Sequence, residues 1–205
     1  MRIAVLGATG RTGRLIVEQA IERGHEVRPV TRRAEAALDQ TWAVADGRDA
    51  AAIEAALDGC DAVAFAVGPS GKGADPGVLS QSLAATLAAM AGAGVKRIVV
   101  VTADGPFTET GDPLTRFVAK PILNRVLPES MADFRVAERL LRESTVDWTV
   151  IRPAQLTNKA SRRYRSRRGA SLWFGIRTSR AATAAAVLDA LDDKSAIGTT
   201  ISVAN

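Results

Sequence analysis

The chain opens on a short apolar run, Arg2 to Leu6, that stops at Gly7. A β-branched and apolar stretch ended by glycine predicts a buried strand. From Gly13 the period changes. Ile16, Val17, Ala20 and Ile21 recur at helical spacing, and Gly24 supplies the stop. The alternation then repeats: His25 to Val30 predicts a second strand, Thr41 to Ala45 a third, the alanine-rich Arg48 to Leu57 a helix, and Asp61 to Val67 a fourth strand. Leu79, Leu83, Leu87 and Met90 mark one face of a long helix ending near Gly92 or Gly94, and Lys96 to Thr102 is a fifth strand.

Beyond the fifth strand the texture changes. Residues 103–130 carry Gly105, Pro106, Gly111, Pro113, Pro121 and Pro128, which predicts loops with one short helix. Ser130 is expected to cap a helix running to about Arg142, with Phe134, Ala137, Leu140 and Leu141 facing inward. Asp147 to Ile151 predicts a sixth strand stopped by Pro153, Ser179 to Leu191 a helix, and Thr199 to Val203 a final strand. Strands alternating with helices imply a parallel sheet covered on both faces, with right-handed crossovers. That is the α/β doubly wound (Rossmann) architecture, expected here as a single domain over residues 1–205.

Composition narrows the function classes. With 47% hydrophobic and 24% charged residues, the chain is expected to fold rather than stay disordered. One cysteine, Cys60, and one histidine, His25, leave no disulfide framework and no Cys-rich or multi-His metal site. The apolar start meets Gly7 too soon to be an export segment, and no apolar run is long enough to span a membrane, so a cytoplasmic location is expected. The formal charge of +5 is a local matter: without Lys159, Arg162, Arg163, Arg165, Arg167 and Arg168, 21 basic residues face 22 acidic ones. Three readings stay open for that segment. It is a solvated strand edge whose cations block further pairing, or a rim attracting an anionic substrate such as FMN, or a nucleic-acid surface. The last is not expected, because only Tyr164 offers stacking and no nucleic-acid motif is present. Trp42, Trp148 and Trp173 read as packing residues, although Trp173 and Phe174 can line a substrate mouth.

Residues 7–13 read GATGRTG, between the first strand and the first helix. Gly7 permits the sharp turn, Gly10 lets the backbone approach a pyrophosphate, and Gly13 lets helix pack on sheet. Backbone N–H groups and the helix dipole then face an anion, and Thr9 and Thr12 can add hydroxyl donors. At the end of the second strand, where NAD-selective sites carry an acid for the ribose 2′-hydroxyl, the chain has Arg32 and Arg33. Guanidinium groups there suit a 2′-phosphate, so NADP(H) is the expected cofactor, with Arg11 a third candidate for the same phosphate.

GATGRTG, Arg32-Arg33, the strand ends Ala45-Asp46-Gly47 and Ala66-Val67-Gly68, and RESTVDWTVIRPAQLTN at 142–158 together resemble the atypical short-chain dehydrogenase/reductases. The subgroup most resembled is the small NAD(P)H-binding proteins similar to biliverdin IXβ/flavin reductase and to NmrA-like proteins. The resemblance covers nearly the whole chain. It implies that Ala8 lies within the phosphate loop, that Asp46 contacts the adenine amine with Gly47 presenting backbone, and that Ala66, Val67 and Gly68 pass the ribose. It further implies that Thr102 stands beside the nicotinamide, that Pro153, Ala154, Gln155 and Leu156 close over it, and that residues about 103–130 and 152–178 form the substrate-side loops.

One departure matters. Where short-chain dehydrogenases carry a Tyr-x-x-x-Lys pair, this chain has Met131 and Arg135. Methionine is no general acid, and arginine keeps its proton but can still bond ribose or attract an oxyanion. The chemistries that survive need little proton help, such as hydride transfer to a flavin or quinone. The expectation is an NADP(H)-dependent reductase, monomer or homodimer, with Thr102 and Arg135 beside the transfer site and a small, conjugated, anionic acceptor. Two alternatives stand beside it. One is a non-catalytic NADP(H)-sensing protein of the NmrA-like kind, acting through a protein partner. The other is a nucleotide-sugar epimerase or dehydratase, for which the residues after 151 are too few to build the usual C-terminal lobe.

Overall fold

The computed structural model describes residues 1–34, 41–69, 75, 77–104 and 128–205, with the backbone alone at 128–130. Its strands are β1 (Arg2–Leu6), β2 (Glu26–Thr31), β3 (Ala43–Val44), β4 (Ala62–Phe65), β5 (Arg97–Val101), β6 (Asp147–Pro153), β7 (Gln155–Thr157), β8 (Arg165–Arg168), β9 (Arg177–Ser179) and β10 (Thr199–Ala204). Its α-helices are α1 (Arg11–Glu22), α2 (Ala50–Leu57), α3 (Val78–Ala93), α4 (Pro128–Glu143) and α5 (Arg180–Asp192). One sheet runs in the order β3-β2-β1-β4-β5-β6-β10-β8, parallel except for β8. A small second sheet pairs β7 with β9.

Register places the site. Leu6 at the end of β1 pairs with Val30 of β2 and Phe65 of β4, so three strands finish level and their following loops meet at one edge. The chain order reverses between β1 and β4, and ligands of such sheets bind at that crevice. Both faces of the sheet are covered, which is why its strands read as unbroken apolar runs rather than alternating ones. Ile3 and Val5 pack with Ile16, Ala20, Val187 and Leu188 beneath α1 and α5. Ala4 and Leu6, pointing the other way, pack with Ile53, Leu57, Leu83, Met90 and Leu141 beneath α2, α3 and α4. Gly94, left-handed at φ 71°, ends α3.

Several expectations are corrected. Helix α4 begins at Pro128, so Ser130 lies inside its first turn rather than capping it. Proline suits that first position, where no N–H partner is needed. Strand β3 shrinks to two residues, and β6 continues through Pro153, which pairs with Val203. Ile21, read with the inward face of α1, is 60% exposed. Strands β7 and β9 have three residues each, too short to show a period. Of the loops and short helix expected across 103–130, residues 105–127 lie outside the described residues.

The basic segment is a strand edge. Strand β8 pairs antiparallel with β10 at the margin of the sheet, where a row of cations discourages further pairing. Arg162 donates to both oxygens of Glu22 on α1 (2.5 and 3.1 Å), and Arg168 bonds Asp193 (2.5 Å) beyond α5. Tyr164 donates its hydroxyl to Asp189 (2.5 Å), and burial followed by that bond raises its pKa.

Candidate functional site

The phosphate loop is held by contacts that admit only glycine. Gly7 has φ 81°, and a Cβ there would lie 2.7 Å from the Ala66 carbonyl oxygen. A Cβ at Gly13 would lie 2.1 Å from the Gly7 carbonyl oxygen, so helix α1 crosses the loop at backbone contact. Gly10 donates its N–H back to that same carbonyl (2.9 Å) and stands at the N-cap of α1 with no side chain to satisfy the first turn. The amides of Arg11, Thr12 and Gly13 therefore begin the helix uncapped, as an anion site requires. Ala8 is buried beneath the loop.

Beside this loop opens a cavity of about 430 Å³ over the ends of β1 to β4. It brings together Gly7, Thr9, Gly10, Arg32, Asp46, Gly47, Ala66, Val67 and Gly68, nine of the residues singled out in the sequence. Open space faces Gly68. The residues fit a dinucleotide: uncapped amides suit a pyrophosphate, and Arg32 lines the cavity at the end of β2. Thr31 fixes the turn behind Arg32, its hydroxyl accepting the Arg33 N–H (3.2 Å). Arg33 is exposed and does not line the cavity.

Four further lining residues were not anticipated: Arg48, Asp75, Val78 and Ser82. Asp46 accepts the Arg48 N–H (2.9 Å), and Asp49 caps α2 by accepting the Ala52 N–H (3.0 Å), so residues 46–49 form a fixed turn. Gly47 packs on Ser82, whose hydroxyl oxygen would stand 2.7 Å from a Cβ there. The Arg48 guanidinium bonds the Asp75 carboxylate, which also accepts the Gly77 N–H (3.0 Å). Those two donors, the backbone first, hold the Asp75 carboxyl below its usual range. No periodic signal marks Arg48; a basic residue two places after a strand-end acid was the available clue.

The end of β5 is built differently. Thr102 is buried, its N–H donated to Ile151 and its hydroxyl donated to Glu138 of α4 (3.0 Å). Glu138 is 0% exposed and also accepts two bonds from Arg152 (2.8 and 2.5 Å) and one from Arg142 (2.7 Å). Four donors on one carboxylate is full satisfaction, the condition under which a buried charge persists. Sequence reasoning missed Glu138, although it falls four residues after Phe134 on the inward stripe, where an acid needs a partner. Asp104 is a second buried carboxylate, accepting from Ser171 (2.7 Å) and Ser202 (3.0 Å). Met131 is buried on α4 and Arg135 is exposed.

Pro153 ends β6, and Gln155 and Leu156 belong to β7, which pairs with β9; none of Pro153 to Leu156 lines the cavity. Ala154 donates to Val203 (3.2 Å) and Thr178 (3.1 Å), and Gln155 donates to Ile176 (3.1 Å). Arg11, first in α1, lies near Arg180, first in α5; burial and then the Arg11 charge lower the Arg180 pKa, and Arg180 bonds Asn158 (2.6 Å). Trp173, Phe174 and Ile176 are exposed ahead of β9. Among the described residues there is no cluster able to hold a metal ion and no helix long and apolar enough to cross a membrane.

A glycine-cradled helix start at the reversal point of a doubly wound parallel sheet, with an arginine at the end of β2, defines a dinucleotide-binding protein. The chain belongs to the NAD(P)H-binding family, which it matches over residues 7–194. A Mycobacterium tuberculosis protein is 37% identical over 101 residues, which are 48% of this chain but 12% of that protein. The chain thus spans about an eighth of that relative's length. Among solved structures, a Burkholderia pseudomallei protein described as exported is 29% identical, with all of both chains covered and a TM-score of 0.83. A short-chain dehydrogenase/reductase of Veillonella parvula, solved in complex with NADP, is 18% identical over 100% of this chain and 94% of that one, with a TM-score of 0.81; at that identity it shares the fold.

Proposed function

We propose that this protein is an NADP(H)-dependent oxidoreductase of the atypical short-chain type that passes hydride to a small conjugated acceptor such as a flavin or quinone. The observation that carries the reading is the cavity joining the glycine loop to Arg32 and to Asp46, Ala66 and Gly68. The loop amides would take the pyrophosphate, Arg32 and Arg33 the 2′-phosphate, and Asp46 with Gly47 the adenine. Thr102 and Arg135 would flank the nicotinamide, with Pro153 to Leu156 closing over it. A bound NADPH would supply the hydride. The chain supplies position but no general acid at Met131, whose thioether has no proton to give. An acceptor whose product is protonated by solvent suits that arrangement, and so does a cytoplasmic location.

Thr102 also favours a second reading. Its proton is directed at Glu138, so its hydroxyl offers the site an acceptor and no acid. A protein that binds NADP(H) and signals its presence would need nothing more. NADPH oxidation followed by absorbance against FMN, quinones and a linear tetrapyrrole separates the two. Turnover that falls on Thr102→Ala or Arg135→Ala supports the reductase; tight NADPH binding without turnover on any acceptor supports the sensor.

A further inference from the structure

We propose that Arg48 is a specificity residue for the cofactor's 2′-phosphate, held in reserve by Asp75 until that phosphate arrives. The proposal rests on the NADP(H) reading above and adds a residue to it. Arg48 and Arg32 line the same cavity from adjacent strand ends. Thr31 pairs with Val44, and Ala45 donates its N–H to Thr31 (2.8 Å), so the turn carrying Arg48 follows β3 as Arg32 follows β2. Neighbouring strands lie about 4.8 Å apart, a spacing that a long guanidinium side chain spans with ease. The 46–49 turn is fixed by Asp46 and by Gly47 against Ser82, which gives Arg48 a defined base to work from.

The Asp75 contact is suited to exchange. Both side chains are nearly half exposed, at 45% and 46%, so solvent screens the pair and little is lost when it opens. Asp75 keeps the Gly77 N–H when Arg48 leaves, so no charge is stranded. A phosphate offers the guanidinium a bidentate, doubly charged partner in place of one carboxylate. Asp75, also on the cavity wall, meanwhile opposes a phosphate's charge. NADPH must therefore displace Asp75 from Arg48, while NADH has no group that does so.

Calorimetric titration of wild type, Arg48→Met and Asp75→Asn with NADPH, NADH and adenosine 2′,5′-bisphosphate tests this. Arg48→Met is expected to weaken NADPH and the bisphosphate about tenfold and leave NADH within twofold, a change of one charge-assisted contact. Asp75→Asn is expected to tighten NADPH severalfold with NADH unchanged, a gain that misfolding cannot imitate. Equal losses for NADPH and NADH in Arg48→Met, or weaker NADPH binding in Asp75→Asn, overturn the exchange while leaving the cofactor reading intact. Wild type that binds neither dinucleotide overturns both.

Discussion

The two ends of the candidate site solve opposite problems. At the glycine-loop end, polar groups are left open to a ligand: uncapped helix amides, an exposed Arg32, and an Arg48 on a solvent-screened carboxylate. At the far end, Thr102, Glu138, Arg152 and Asp104 are buried and bonded to one another or to nearby serines. The first region is arranged to recognise and the second to hold shape. Selectivity for the dinucleotide is therefore expected to depend on surface arginines that stability ignores. The end of β5 should instead depend on a buried network that cofactor affinity ignores.

The largest expected effect breaks the buried half. Glu138→Ala removes the buried carboxylate that Arg152 and Arg142 share and should cost about 3–5 kcal/mol in urea unfolding, as loss of one member of a buried ion pair does. The double variant Glu138→Met, Arg152→Met should recover much of it. A loss below about 1 kcal/mol for the single variant would mean that the network is not closed. Next comes Gly13→Ala, whose Cβ must force the Gly7 carbonyl aside. It is expected to cost about 3 kcal/mol or more and to abolish NADPH binding, read by thermal unfolding and titration together. Arg32→Ala then sharpens the open half. NADPH affinity should fall about ten- to a hundredfold, the worth of a charge-assisted contact of roughly 1.5–3 kcal/mol, while unfolding is unchanged.

The smallest effect lies away from both ends. Tyr164 is the chain's one tyrosine, so its ionisation can be followed by phenolate absorbance. Its pKa is raised in the folded protein, mainly by burial and then by the bond to Asp189. The stability it contributes is thus complete below its ordinary pKa of about 10 and is lost as pH rises beyond. The phenolate signal should appear only well above pH 10 and should move down in Asp189→Asn. In contrast, Arg162→Ala should change neither cofactor binding nor turnover, because Arg162 is occupied with Glu22 at the strand edge.

How much could be read beforehand follows the same division. GATGRTG between strand and helix located the open half, because its requirement is steric and backbone-borne and therefore local in sequence. The sheet's two-sided burial was legible in runs such as Lys96 to Thr102 for the same reason. Glu138 and Arg152 are 14 residues apart on different elements, and their meeting depends on how α4 lies against β6. Neither residue stands out alone. Arg48 was read as the start of a helix, and it took the turn at Asp46 and the crossing to Asp75 to bring it to the cavity. The six-cation segment drew attention by density, yet Arg162 and Arg168 are occupied by acids distant in sequence.

The central claim is that this cavity takes NADP(H) through arginines at the end of β2. It is tested most directly by titrating wild type and Arg32→Ala, Arg33→Ala double variant with NADPH and NADH side by side. The account expects wild type to favour NADPH by at least about tenfold and the double variant to lose most of that preference, keeping only the share that Arg48 supplies. Equal affinity in wild type, or a preference undiminished by loss of both arginines, would contradict it.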